Sequence, residues 1–233
     1  MIHCIYHWHS FVQIQTNEGN ILIDPYITDN PKCDISLTDL ADVAHIIITH
    51  GHADHVWDTV YIANHFPQSQ ITTIYGLATY LQHQWIVNQI HGLGIWGTVK
   101  LNDALSVKCV SAVHDGAILD TWLYAQASGM LIYSKDKIIY HAWDTALHTD
   151  MKLLGDWPRI DCAFLPIWDI YTMWVSDSII ATDWIKPKIV VPIHYNTRPK
   201  IKVDELDRAT NIMQQTKSIP KVLHAGQYVV LDE

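Results

Sequence analysis

The chain is short of several things that common function classes need. Only three of its 24 acidic residues are glutamate (Glu18, Glu205 and Glu233), so no H-E-x-x-H zinc-protease helix can be written and acid–base work falls to Asp or His. Basic residues are scarce: 15 Lys and Arg against 24 Asp and Glu give a net charge of −9 with His neutral, which argues against a protein that coats nucleic acid. No apolar run approaches the roughly 18 residues that cross a bilayer, and the first residues carry no basic-then-apolar leader, so a cytoplasmic location is expected. The four cysteines, Cys4, Cys33, Cys109 and Cys162, form no C-x-x-C pair and read as reduced, packed thiols, which excludes a disulfide framework or Cys-rich zinc site. Glycine is short too: ten residues, where average usage of about 7% predicts roughly 16.

What is present suits a globular domain. With 49% hydrophobic and 17% charged residues the chain can bury a sizeable core. No Gly/Ser linker, charge block or repeat divides it, so one domain over residues 1–233 is expected. Histidine is in excess, 15 residues, as many as Lys and Arg together, and imidazole is the commonest protein ligand for transition metals.

Apolar and alternating runs predict strands at Ile2–His7, Phe11–Thr16, Asn20–Asp24, Ala44–Thr49 and Gln70–Ile74, with helices near Val56–His65 and Leu77–Gln84. Downstream, strands are predicted at Leu105–Ala112, Gly129–Tyr133, Lys137–His141, Cys162–Pro166 and Lys188–Ile193. Helices are predicted at Thr149–Gly155, Ser176–Ile185 and Val203–Thr216, and a closing strand pair at Lys221–Leu223 and Tyr228–Leu231. Gly92, Gly94 and Gly97 read as an ordinary turn. The mixture suits two mixed sheets packed together with helices outside.

Thr49-His50-Gly51-His52-Ala53-Asp54-His55 directly follows the predicted buried strand Ala44–Thr49. The strand end fixes His50, the turn brings round His52, and Asp54 and His55 start the next helix, so four ligand-type side chains crowd one rim. A single tetrahedral zinc takes three protein ligands and keeps one position open. Four ligand-type residues in six positions more readily feed two ions, about 3.5–4 Å apart in hydrolytic sites. A second ion needs ligands from elsewhere, and His114, Asp144 and His194 each stand just beyond a predicted strand.

T-H-x-H-x-D-H followed by a single downstream His, Asp and His resembles the metallo-β-lactamase superfamily. Within it the chain is similar to small metal-dependent hydrolases related to ascorbate-6-phosphate lactonase. The matching segments run in order along nearly the whole chain: His9–Phe11, Ile21–Pro25, Thr49–His55, Val113–His114, Ile139–Thr145, Asp150–Leu153, Phe164–Ile167 and Lys186–Tyr195. The resemblance implies an α+β fold, a four-layer αβ/βα metallo-β-lactamase-like sandwich with the site at one edge. It implies His50, His52 and His114 on one divalent ion, Asp54, His55 and His194 on the other, and Asp144 bridging both. A hydroxide held between the ions would then attack a small ester, lactone or phosphodiester, because the metals lower the pKa of bound water. Asp54 would orient it and help pass a proton to the leaving group. Imidazole with carboxylate suits zinc or manganese, and iron is compatible.

Two further histidines join Asp54 as catalytic candidates. His9 falls where the resemblance places a pocket histidine, with a turn cap as the plain alternative. His141, three residues before Asp144, fits a partner that orients a ligand, with a hydrogen-bonded core histidine as its alternative. Asp24 before Pro25 either orients a ligand histidine or only ends its strand, and Tyr195 and Thr197 either touch substrate or serve the fold.

Against the pattern that the resemblance carries, tryptophan stands where glycine is usual, at Trp8, Trp57, Trp143, Trp168 and Trp174, with Trp96 and Trp122 as further members of the set. Two expectations compete. One is a hydrolase acting on a small molecule. The other is a non-catalytic or impaired metal-binding protein of the same fold whose pocket the indoles block. No membrane partner is expected, nucleic acid is disfavoured despite Arg198, Lys200 and Lys202, and a homo-oligomer is left open.

Overall fold

The computed structural model describes residues 1–197 and 216–232. Its first half comprises strands β1 (Ile2–Tyr6), β2 (Val12–Thr16), β3 (Gly19–Ile23) and β4 (Val43–Ile48), helices α1 (Ala53–Val56) and α2 (Thr59–His65), then β5 (Gln70–Ile74), α3 (Tyr75–Leu81) and β6 (Gln89–Leu93). The second half comprises β7 (Thr98–Lys100), β8 (Leu105–Ser111), β9 (Ser128–Ser134), β10 (Lys137–His141), α4 (Met151–Gly155), β11 (Cys162–Pro166), α5 (Val175–Ile185), β12 (Ile189–Ile193), β13 (Ile219–Pro220) and β14 (Tyr228–Leu231). Among these residues no helix is long and apolar enough to cross a membrane.

Two seven-stranded mixed sheets result, ordered β14-β1-β2-β3-β4-β5-β6 and β13-β12-β11-β10-β9-β8-β7. Residues of both, among them Ile14, Ile47, Val107, Ile132 and Val191, belong to one buried apolar cluster. The sheets therefore pack face to face, as in the expected αβ/βα sandwich.

Strand direction decides where the chemistry goes. In the first sheet β1 and β3 are each antiparallel to β2, and β4 is parallel to β3, so β1, β3 and β4 run one way. In the second, β8 and β10 are each antiparallel to β9, while β11 and β12 are parallel to β10 in turn. His9, Asp24 and His50 leave the ends of β1, β3 and β4; His114, Asp144 and His194 leave the ends of β8, β10 and β12. All six gather at one edge of the sandwich.

Several expectations need correction. Lys221–Leu223 does not pair with Tyr228–Leu231; β14 instead pairs with β1, placing Leu231 opposite Ile2, and the short β13 extends β12 in the other sheet. Each sheet has an open edge to cover, and the two C-terminal segments cover one apiece. The helix predicted at Val56–His65 is interrupted between α1 and α2, where the Asp58 carboxylate accepts from the Ile27 and Thr28 amides at 2.7 and 2.9 Å. The spacing Gly92, Gly94, Gly97 is that of G-x-G-x-x-G, but it leads from β6 towards β7 with no helix to receive a phosphate, so the turn reading stands. Strands β6 and β7 had no clear alternation to betray them, being mostly exposed. The predicted helix Val203–Thr216 lies outside the described residues up to position 215.

Gly51 lets the ligand turn fit. A Cβ there would lie 2.7 Å from the Ile118 Cα and 2.9 Å from the Ala117 carbonyl oxygen, both backbone atoms. Gly51→Ala is therefore expected to cost about 1–3 kcal/mol through overpacking and to disturb His50 and His52 together. Thermal denaturation with metal titration checks both effects; an unshifted melting temperature would contradict the crowding.

Candidate metal centre

Two side chains of the turn, His50 and His55, are placed by the residues just beyond β3 and β4, Asp24 and Thr49. Thr49 Oγ1 donates to Asp24 Oδ2 at 2.8 Å and accepts from His50 Nδ1 at 2.6 Å, which leaves the His50 Nε2 lone pair pointing inward. His55 Nδ1 donates to the same Asp24 oxygen at 2.6 Å, which turns its Nε2 towards Asp144. His114 Nδ1 donates to the Tyr171 carbonyl at 3.0 Å. His50 Nε2 and His114 Nε2 then lie 3.0 and 3.2 Å from His52 Nδ1. With both Nε2 atoms bare, a proton on His52 could satisfy only one of them at a time, and a cation would satisfy all three.

Asp144 stands between two groups of donors. Its Oδ1 is 3.1 Å from His194 Nε2, and its Oδ2 is 3.3 Å from His55 Nε2 and 3.6 Å from His114 Nε2. The donor atoms of His50, His52, His114 and Asp144 lie within 4.8 Å of one another, and so do those of His9, Asp54, His55 and His194. All seven expected ligands are brought together, with His9 beside them. His55 Nε2, His194 Nε2 and Asp144 Oδ1 are buried without a hydrogen-bond partner. Buried polar atoms are nearly always satisfied, so this convergent, unsatisfied set of nitrogens and carboxylate oxygens fits divalent cations.

The electrostatics agree with a site built for positive charge. Burial lowers His50 well below its ordinary pKa, and burial also lowers His52 and His114, leaving neutral imidazoles with lone pairs to offer. Burial acts to raise the Asp144 carboxyl, but His194 and His55 outweigh it and hold the group well below the carboxylate range. For His55 burial acts downward, and the Asp144 and Asp24 carboxylates on either side override it and raise the imidazole well above its usual value.

His9 leaves β1 through a left-handed turn (φ 60°) and is buried. Its Nε2 lies 3.2 Å from Asp54 Oδ2 and its Nδ1 2.8 Å from Thr197 Oγ1. Burial and then the nearby His194 lower it to about 4. Thr197 thus holds His9, and Asp24 orients His55 and, through Thr49, His50. His141 is placed differently: its Nε2 donates to the Ser10 carbonyl at 3.0 Å, and no hydrogen bond joins it to any of the seven. It stacks on Trp143 with ring centroids 4.4 Å apart, so its geometry is that of the core alternative. Two contributors were not singled out from the sequence. Thr49 had a signal, a hydroxyl immediately before the first ligand; the Tyr171 carbonyl had none, since every residue carries one.

The indoles do not form one rim. Trp143 is buried beneath the site against His141, Trp8 packs 5.4 Å from Tyr195, and Trp168 lies 5.0 Å from His194. Trp96 packs 5.9 Å from Trp157 instead, beside Lys108, and Trp57 and Trp122 are exposed.

Residues 19–195 match the family model of the beta-lactamase superfamily domain. Over 97% of its length and 98% of the relative's, the chain is 43% identical to a UPF0173 metal-dependent hydrolase of Anoxybacillus flavithermus. The chain belongs to the UPF0173 metal-dependent hydrolases of the beta-lactamase superfamily. It is similar in structure to Igni18, a metallo hydrolase of Ignicoccus hospitalis, with a TM-score of 0.90, 27% identity and coverage of 100% of this chain and 99% of the other. The isothiocyanate hydrolase from Delia radicum gut bacteria shares the fold at a TM-score of 0.78 and 17% identity, with 98% of each chain covered. These matches do not favour the non-catalytic alternative.

In this hydrolase Asp24 is not among the seven expected ligands, yet it holds His55 and, through Thr49, His50. Asp24→Asn is expected to lower metal affinity by about 10–100-fold, the usual effect of losing a partner that orients a ligand. Competition against a chromophoric chelator measures it; unchanged affinity would mean that His55 and His50 hold their orientation without the carboxylate.

Proposed function

We propose that the hydrolase is dinuclear and cleaves a small ester, lactone or phosphodiester. The observation that carries this reading is the position of Asp144, whose two oxygens face His194 on one side and His55 and His114 on the other. His50, His52 and His114 would hold one divalent ion, Asp54, His55 and His194 the other, and Asp144 both; zinc or manganese suits the donor set, and iron is compatible. When bound, the pair supplies an activated water and polarises the scissile group.

The chain's own residues do the rest. Asp54 is 18% exposed at its side chain, the most open of the two carboxylates. Burial acts to raise its pKa, but the His9 hydrogen bond and then the His55 charge keep it ionised, so it can accept a hydrogen bond from the attacking water. His9, neutral and bonded at Nδ1 to Thr197, steadies that carboxylate and provides a relay for the proton that goes to the leaving group. The buried histidines keep bulk water away from the reacting atoms.

Elemental analysis of the purified protein, joined to a panel of an aryl phosphodiester, an aryl ester, an isothiocyanate and a lactone with added zinc or manganese, tests the reading. Two ions per chain with turnover of at least one ester, lactone or phosphodiester is the expected result. One ion at full activity would remove the dinuclear arrangement, and two ions with turnover of the isothiocyanate alone would remove the substrate class.

A further inference from the structure

Tryptophan in this chain occupies backbone that suits glycine. Thirteen described non-glycine residues have a left-handed φ, and four are tryptophan: Trp8 (78°), Trp85 (56°), Trp96 (66°) and Trp143 (59°). Only two described glycines, Gly19 and Gly226, take such a φ. Roughly a few per cent of non-glycine residues do so, mostly Asn, Asp and His, and for a bulky side chain it is an outlier. Ten tryptophans should therefore contribute fewer than one case.

Among these four and beyond them, several indoles leave a polar group unmet or stand open to solvent. Trp8, Trp143 and Trp168 each bury an Nε1–H with no acceptor, although buried indoles usually find one. Trp85 and Trp122 are 95% and 92% exposed, against the habit of a residue that is highly buried on average. The composition fits the same account, with ten Trp beside a glycine count below the ordinary.

We propose that the codons at Trp8, Trp85, Trp96 and Trp143 are UGA and that the organism carrying the gene decodes them as glycine, so that the working hydrolase has glycine at all four. UGA differs from the glycine codon GGA in its first base only, and genetic codes vary in reading it as stop, tryptophan or glycine. The consequence reaches the metal centre, and for that consequence alone the inference rests on the proposed function. Trp8 precedes His9 and Trp143 precedes Asp144. With glycine there, both strand ends make their left-handed turns without a Cβ penalty, and the space now filled by indole beside Tyr195 and His141 becomes free.

Peptide mass spectrometry of the protein purified from the organism that carries the gene reads the residue directly. The tryptic peptide Ile138–Lys152 contains position 143 and is expected at the glycine mass. A tryptophan mass overturns the proposal, and so does UGG at the four codons. A recombinant chain carrying W8G, W85G, W96G and W143G together is expected to melt higher than the tryptophan chain, and an equal or lower melting temperature counts against it. None of these readouts depends on turnover, so a failed substrate panel leaves the inference standing or falling on its own.

Discussion

Asp144→Ala is expected to reduce metal content to fewer than two ions per chain and to lower hydrolysis by about a thousandfold or more. The scale follows from the several kilocalories per mole that an ion pair contributes to the transition state, at about 1.4 kcal/mol per tenfold. Among the described residues the carboxylate is the one acidic side chain within about 4 Å of His50, His55, His114 and His194 alike. On the proposed dinuclear reading its loss removes the negative charge that would hold two cations close, whereas each histidine would serve one side. Asp144→Asn keeps the volume and hydrogen-bonding capacity while removing the charge, so both variants should behave alike if charge is what matters. Elemental analysis with circular dichroism to confirm folding gives the answer; a folded Asp144→Asn chain that keeps two ions and its rate would place the bridge elsewhere.

Stripping the metal should produce the second large effect, a fall in melting temperature of about 10 °C. A ligand at a thousand times its Kd stabilises by about 4 kcal/mol, and for a domain of this size each kcal/mol shifts the midpoint by about 2–4 °C. The unsatisfied His55 Nε2, His194 Nε2 and Asp144 Oδ1 are the groups that lose their partner. The effect should depend on pH. Without metal His55 is held well above its ordinary pKa by Asp144 and Asp24, against the opposing pull of burial. Its Nε2 must shed a proton to bind an ion, so apparent affinity should climb with pH through neutrality and beyond.

The metal-free chain has its own dependence on pH. The raised His55 contributes stability that is full below its unfolded pKa and is lost as pH rises through the folded one. The depressed Asp144 contributes above its unfolded pKa and loses that contribution as pH falls through the folded one. Chelator competition across pH 6 to 9, corrected for the chelator's own protonation, follows metal uptake, and melting curves of the metal-free chain carried from alkaline pH down into acid below the ordinary carboxylate range separate the two trends. Uptake that ignores pH would contradict His55 as a ligand.

The cluster of strained backbone has a place in this picture. His9, Asp24, Trp143 and His194 all have left-handed φ, and all adjoin or belong to the donor set. Such positions cost about 1–3 kcal/mol each and persist where the surroundings demand them. Here the demand is that chain leaving a strand end must turn its next side chain inward, over the gap between two sheets. Asp24 and His194 tolerate that backbone as short or ring-bearing polar residues anchored by hydrogen bonds to Thr49 and to the His9 carbonyl. Trp143 has no such anchor for its indole nitrogen.

The amino-acid sequence alone determined the donor chemistry: a histidine-rich turn after a buried apolar strand, with three further ligand-type residues each beyond a strand of its own. It also determined most strands, because burial on one or two faces writes a period of two or an unbroken apolar run into the residues. Tertiary structure decided the rest. That β1, β3 and β4 in one sheet and β8, β10 and β12 in the other end at a common edge depends on β2 and β9 running in reverse, which their short turns mark locally, and on the pairing of strands across long connections, which no local pattern encodes. The partners of Nδ1 on His114 and His9, the Tyr171 carbonyl and the Thr197 hydroxyl, lie 57 and 188 residues away along the chain. Residue types carry their donor chemistry wherever they stand, whereas strand direction and the reach of a backbone carbonyl exist only once distant segments have paired.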